Sequence, residues 1–556
     1  MKSRVLKWLE VAPESGPNSV SMLKNKDIVP MPPSRRLWGV VSYIGYWGTS
    51  NFCVNSWTGA SSLLSLGLNV PQTMGVIVVG NTIITALALI NAWPGSKWHI
   101  GYTISQRVVF GIYGSSIGIV VRVILSIVWF GSQSWLGGLC VTAILSSWSK
   151  NFLTMKNTFP DSVHMSSRDL IGFVLFQLIL IPCLCFRPEL WSKPIIITSI
   201  FTFFGMLGTC IWACTANGGA GPLMDSGVGV KGSALAWAWI NGITSWYGSQ
   251  SAGITNQSDF TRFSKSKFSA VPGSIFALMV NGTIVPLFGV LSASATLGKY
   301  GTQYWNPLDI VMKWLEDDYS AKSRAGAFFV GLSFLGSQLS LNVIGNGFAG
   351  GMDMAGLFPR YINIRRGAII TALLSWVVQP WDFYNTSSTF VTVMGSFSVF
   401  MAPMIGIIIS DFFLVRSRKL MLSHLYTADP NGTYYYWKGF NLRGIITWVV
   451  VFTPAIPGLV TSANPNIKIS DGIYKYYQGN CLFGFFEALT MYYVLCKIWP
   501  VKNVGQQDTV DYFGTFTTAE AEKMNMVPYE QYQSEEEDSI DGKDNDIVTQ
   551  VRPVDV

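Results

Sequence analysis

A chain of 556 residues with 49% hydrophobic and only 12% charged residues is too apolar for a soluble globular protein, in which about a quarter of residues are charged. The net charge of +7 reflects an uneven spread of 38 Lys and Arg along the chain and calls for no nucleic-acid partner. Three histidines and eight scattered cysteines offer no metal-ligand spacing and no paired acid–base groups, so no metal, no cofactor and no enzymatic activity are expected.

Residues 1–37 are polar and basic, without the apolar core of a secretory signal, and read as an N-terminal arm. A membrane-spanning helix needs about 20 mostly apolar residues, and about twelve such segments follow. They lie near 38–66, 72–93, 112–145, 168–187, 193–214, 233–255, 271–297, 324–349, 367–381, 388–414, 444–462 and 480–499. An all-α membrane domain over 38–499 is therefore expected, with the lipid bilayer as its solvent. The pair Cys183 and Cys185 in the fourth segment reads as buried thiols. Residues 500–556 form a tail ending in the acidic run "SEEEDSIDGKDND", expected to be disordered. Its Lys523 and Lys543 are candidate sites for ubiquitination. Most of the 38 Lys and Arg fall on the side that carries both termini, which predicts cytoplasmic termini.

Two segments carry polar residues where a plain lipid-facing helix would carry Leu. They are "NFCVNSWTGASS" (51–62) in the first and "SWYGSQSAGITNQSDFTRF" (245–263) in the sixth. Non-helical backbone at membrane depth is tolerated where it lines a cavity. Breaks five segments apart would mark two inverted five-helix halves. Asn55, Ser56 and Trp57 stand at the first break, Trp246 and Tyr247 at the second. In the third segment "VWFGSQSW" (128–135) places Trp129 and Gln133 on one helix face. In the eighth, "GSQLSLN" (336–342) does the same for Gln338 and Asn342, with Ser337 between. Singly, each residue fits helix packing as well as binding. Together, aromatic planes and amides suit a flat, nitrogen-rich heterocycle, held between rings and read along its edges.

Charges at membrane depth are costly and mark function. Arg122, Asp259, Asp353, Asp411 and Glu487 are of this kind. Asp259 and Arg262 in "DFTRF", and Asp411 in "SDFFLVR", read as gate or ion-pair residues.

The motifs "GYTISQR" (101–107), "FGIYGS" (110–115), "VWFGSQSW", "NQSDFTRF" (256–263), "AGLFPRYINIRRG" (355–367) and "PWDFYNTSSTF" (380–390) run in order through the membrane domain. In them the chain resembles the nucleobase–cation–symport family, type one, in its fungal branch of uracil, allantoin, uridine and thiamine permeases. Within that branch "SVSMLKNKDI" (19–28), "YGTQYWNPLDI" (300–310) and "GFAGGMDMAGL" (347–357) are similar to the thiamine and nicotinamide riboside subgroup. The resemblance implies a LeuT-type five-plus-five inverted repeat with two further C-terminal helices. It implies that Trp129 and Trp246 sandwich the substrate and that Gln133, Gln338 and Asn342 hydrogen-bond it. Gln338 stands where the family usually has Asn. Of two hydroxyl positions that bind sodium in a bacterial relative, this chain has Gly336 and Ser337, which favours proton coupling. The expected function is a plasma-membrane importer of thiamine, a heterocyclic cation, by proton symport with alternating access. Nicotinamide riboside, then uridine or a nucleobase, are the alternative substrates. A non-transporting nutrient sensor would carry the same motifs.

Overall fold

The computed structural model describes residues 10–11, 21–186, 191–226 and 229–534. Among the described residues no strand forms, only three isolated bridges. Each expected segment is helical, and among the described residues eight helices are long and apolar enough to cross a membrane. They are Val70–Trp98, Ser115–Trp148, Lys193–Asn217, Ala270–Tyr300, Ala321–Leu357, Ser387–Val415, Leu442–Ala463 and Asn480–Ile498. The remaining four expected segments differ for local reasons. The first is split into Val40–Asn51 and Val54–Ser62. The fourth, Ser167–Cys183, ends at Pro182. The sixth, Ser233–Thr255, is diluted by Ser, Thr, Asn and Gln. The ninth, Ile364–Leu374, tightens into a 3-10 turn.

The expected break in the first segment is present at Phe52–Cys53. Side chains replace the lost helical bonds. Ser56 Oγ donates to the Ser50 carbonyl at 2.9 Å, and Asn51 Nδ2 donates to the Ala277 carbonyl at 2.8 Å. That carbonyl opens a π-helical turn, Ala277–Asn281, in the seventh segment.

The break expected at 245–248 is absent, because Ser233–Thr255 is one continuous helix. Its polar residues serve other ends. The hydroxyls of Ser249, Ser251 and Thr255 bond carbonyls one turn back, so they are satisfied within the helix. Gly248 lets the tenth segment pack in close: a Cβ there would enter the contact shell of the Met394 carbonyl oxygen. Gly248→Ala is expected to force the two helices apart and to destabilise the protein by about 1–3 kcal/mol. Thermal unfolding of the purified protein checks this.

The second, sixth and seventh segments are cross-linked through Asn81. Its Oδ1 accepts from Trp246 Nε1 at 2.8 Å, and its Nδ2 donates to the Gly282 carbonyl at 2.8 Å. The third and eighth segments form a second unit, joined by side-chain amides described below. Cys183, the last residue of the fourth helix, is half-buried, and Cys185, just beyond the helix, is exposed, so the pair is not buried as expected.

Residues 501–534 depart from the expectation of a disordered tail. Phe516 packs against Trp98 and His99 with centroids at 6.0 and 6.2 Å, and Phe513 against Tyr426 at 5.0 Å. The short helix Thr518–Lys523 is capped by Thr517 and Glu520 acting on each other's amides. Arg36 of the N-terminal arm, itself buried, pairs with Glu520 at 2.9 Å and bonds the Thr515 carbonyl. Aromatic residues within an otherwise polar segment supply the burial that docks it. The acidic run beyond Ser534, with Lys543, lies outside the described residues.

Burial alone would raise the Glu520 carboxyl, but the Thr517 amide and the Arg36 guanidinium outweigh it and hold it below its ordinary value of 4.5. The contact is therefore complete above that pH and is lost as pH falls through the depressed value. Glu520→Gln is expected to speed proteolysis within 501–534 at neutral pH and to remove this acid dependence, read by limited proteolysis in detergent.

Candidate substrate site

The third segment, Ser115–Trp148, is 34 residues long and carries Trp129, Gln133 and Ser134 buried on the side packed against the eighth. Gln338 Nε2 donates to Gln133 Oε1 at 2.8 Å and to the Gln133 carbonyl at 3.3 Å. That leaves Gln338 Oε1 buried without a partner, and the Gln133 amide nitrogen without a bond among the described residues. The pair therefore retains one acceptor and one NH2 donor group. Asn342 is fully engaged. Its Nδ2 donates to Ser134 Oγ at 2.8 Å and the Phe130 carbonyl at 3.1 Å, and its Oδ1 accepts from Asn346 at 3.0 Å. It opens the π-helical turn Asn342–Phe348, a geometry common at functional positions.

Trp129 is 6% exposed, its ring lies 5.3 Å from that of Phe397 on the tenth segment, and its indole N–H has no partner. Asn55 Oδ1, Ser245 Oγ and the Tyr247 hydroxyl are also buried and unpartnered. Such groups are costly in an apolar interior and suit a ligand that supplies the missing bonds. Trp246 directs its N–H to Asn81 and packs its ring into the space beside Gly80, tying the sixth segment to the second. Trp57 is wholly buried and lies under Gly289 of the seventh segment. Ser56 staples the first break, and Ser337 Oγ donates to the Phe334 carbonyl at 3.1 Å. The structure thus brings Gln133, Gln338 and Asn342 together, while the contacts of Trp57 and Trp246 run to other helices.

Above this group, away from the termini, an aromatic cap closes the bundle. Ser132 shares a 2.8 Å hydrogen bond with the Tyr384 hydroxyl. Tyr384 stacks on Trp305 with a centroid distance of 6.1 Å and an angle of 7°, and meets Phe390 at 5.0 Å. The Trp305 carbonyl accepts from Ser61 at 2.6 Å, so the cap is fastened to the first segment. Sequence reasoning passed over Phe397, Phe390, Tyr384 and Trp305. Aromatic residues in apolar helices look like lipid contacts until the fold turns them inward.

Below, Arg122, Asp259 and Asp353 form one network. Arg122 lies two helical turns, or about 10 Å, from Trp129. Its Nε donates to Asp353 Oδ2 at 2.7 Å and its Nη2 to Asp259 Oδ2 at 2.7 Å, with a further bond to Asp353 Oδ1. Its guanidinium lies 3.8 Å from the Tyr102 ring centroid, and Asp259 Oδ1 accepts from the Tyr102 amide at 2.9 Å. One cation and two carboxylates thus bind the third, sixth and eighth segments at the terminus side. Arg262, beyond the C-cap of the sixth helix at Asn256, bonds the Asp259 and Asp27 carbonyls rather than the Asp259 carboxylate. Asp411 pairs with Arg416 at 3.1 Å and accepts from Tyr492 at 2.8 Å, which joins the tenth segment to the twelfth. The sequence showed Arg122 and Asp353 as isolated buried charges. Their separation of 231 residues hid the partnership.

A helical bundle with a broken first segment, two cross-linked units and a closed polar centre is the architecture of a multi-span membrane transporter. The family model described as "Permease for cytosine/purines, uracil, thiamine, allantoin" matches residues 30–484, and the chain belongs to that family. It is 43% identical to the thiamine transporter of Saccharomyces cerevisiae over 535 residues, covering 96% of this chain and 89% of that protein. It is 42% identical, with the same coverage, to nicotinamide riboside transporter 1 of Saccharomyces cerevisiae. The fold matches the structure of Mhp1, a nucleobase-cation-symport-1 family transporter, in a closed conformation with bromovinylhydantoin bound. The TM-score is 0.69 at 20% identity, covering 87% of this chain and 98% of that one. The LeuT-type arrangement of two five-helix halves is therefore this chain's fold.

Proposed function

We propose that this chain imports thiamine across the plasma membrane by proton symport, with both termini in the cytoplasm. The observation that carries the reading is the 43% identity to a yeast thiamine transporter across 96% of the chain. The site's chemistry supports it. A 4-aminopyrimidine presents a ring-nitrogen acceptor beside an amino donor. The Gln133 NH2 and Gln338 Oε1 offer the complementary donor and acceptor. The thiazolium charge suits an aromatic neighbourhood such as Trp129 with Phe397. Trp246, Tyr247, Asn55, Ser56, Trp57 and Asn342 complete the proposed surroundings, which rearrange as the two units rock about the site.

Proton rather than sodium coupling is supported at Gly336. Gly336 brings no hydroxyl beside Ser337, and the space a side chain would take there is filled by the Thr198 methyl group. Asp259, Arg262 and Asp411 are assigned to gating on the cytoplasmic side. Lys523, exposed on the docked tail, is a candidate site for ubiquitination.

A second reading is specifically favoured by the 42% identity to a nicotinamide riboside transporter. A carboxamide offers the same donor and acceptor as an aminopyrimidine, so the amide pair suits both cations. Radiolabelled uptake in yeast lacking its own thiamine carriers separates them. Saturable thiamine uptake that a protonophore abolishes, with weak competition by nicotinamide riboside, is expected. Thiamine uptake no greater than in empty cells would overturn the assignment, and binding without uptake would mark a sensor.

A further inference from the structure

One of the carboxylates expected at membrane depth lies outside the networks described so far. Glu487 is the eighth residue of Asn480–Ile498, about 10 Å inside the apolar layer from the end remote from the tail. It faces outward, into an open groove of 720 Å³ between this helix and Leu442–Phe452. Val450, Pro454, Phe486, Met491 and Val494 line the groove, and Phe486 and Val450 are more than half exposed. A charge that faces hydrocarbon is costly and needs a partner. Glu487 has one: the Tyr476 hydroxyl, on the amphipathic helix Asp471–Gln478, donates to its Oε2 at 2.5 Å. Oε1 has no partner among the described residues.

We propose that this groove is a sterol site. Glu487 Oε1 accepts the sterol hydroxyl, and the tetracyclic body lies along the valine, phenylalanine and methionine wall. The geometry supports this assignment in three ways. The Cα–Cβ bond of Glu487 leans toward the helix N-terminus, so the acceptor sits at the end of the groove nearer water, where a sterol carries its only polar group. Apart from Tyr476, which Glu487 already engages, and Thr490, one turn further along the helix, the wall is apolar, matching a body with no other polar atom. No Lys or Arg lines the groove, so a phospholipid would find no partner for its phosphate. The site is separate from the transport pathway and stands whichever substrate is carried.

The test uses the full-length protein in nanodiscs with a photoreactive sterol, followed by peptide mapping. Labelling is expected in peptides from 442–463 and 480–498. An unlabelled sterol with a free hydroxyl competes, and its methyl ether does not. Glu487→Gln keeps an acceptor oxygen and retains labelling, whereas Glu487→Leu loses roughly tenfold, the order of one hydrogen bond to a charged group. Labelling confined to other helices, equal labelling of the leucine variant, equal competition by the ether, or displacement by phosphatidylethanolamine instead of sterol would each overturn the proposal. Should the leucine variant fail to fold, the ether competition on the unaltered protein decides alone.

Discussion

Gln133→Ala and Trp129→Ala are each expected to abolish substrate uptake while the protein still reaches the cell surface. Gln133 Oε1 holds Gln338 Nε2 at 2.8 Å, so its removal leaves the Gln338 amide with only a 3.3 Å bond to the backbone carbonyl at position 133 within a buried site. An unpaired buried polar group costs about 1–3 kcal/mol, and the ligand loses its donor as well. The combined loss corresponds to a fall of about 10- to 100-fold or more in apparent affinity. Trp129 offers the ring against which a cationic heterocycle would lie, and its truncation also uncovers Phe397. Neither residue touches the network that holds the helices together at the terminus side. Surface biotinylation therefore remains near normal while labelled uptake falls to background. Full uptake in either variant would exclude this group as the site.

The second large effect is on stability. Arg122→Ala leaves Asp259 and Asp353 facing each other without their shared cation, all three side chains being at most 3% exposed. Breaking a buried ion pair from one side costs about 3–5 kcal/mol, because the abandoned charge stays buried. Here two charges are abandoned. The variant is expected to unfold well below the unaltered protein in a fluorescence-detected melt and to accumulate poorly. Arg122→Ala combined with Asp259→Asn and Asp353→Asn removes the abandoned charges and is expected to recover part of the melting temperature. No recovery would show that the guanidinium acts chiefly by packing on Tyr102.

Much of this molecule was legible in its sequence, for definite reasons. Helices at membrane depth must satisfy every backbone group internally, so long apolar runs could only be helices. The break before Asn55 showed itself because Gly, Ser and Asn displace Leu there, and Gln133 and Gln338 stood out by their rarity at depth, although their direct bond is visible only in the fold. The same signal misled at 245–248. Ser and Gly also permit close helix packing, and only the approach of Met394 to Gly248 reveals which use is made. The tail showed a similar ambiguity: its polar composition hid Phe513 and Phe516, whose partners Tyr426 and Trp98 lie far earlier in the chain.

The sequence by itself determined that the chain spans a membrane, which side gathers the positive charge, and which family its motifs share. These are properties of composition and local order, governed by what hydrocarbon and water each tolerate. The tertiary structure alone decided that Arg122 serves two carboxylates, that Asn342 braces helices, and that Trp246 points at Asn81. It also placed Glu487 in an open apolar groove. A side chain's role depends on which distant helix lies within about 3 Å of it, and that distance exists only once the bundle has closed.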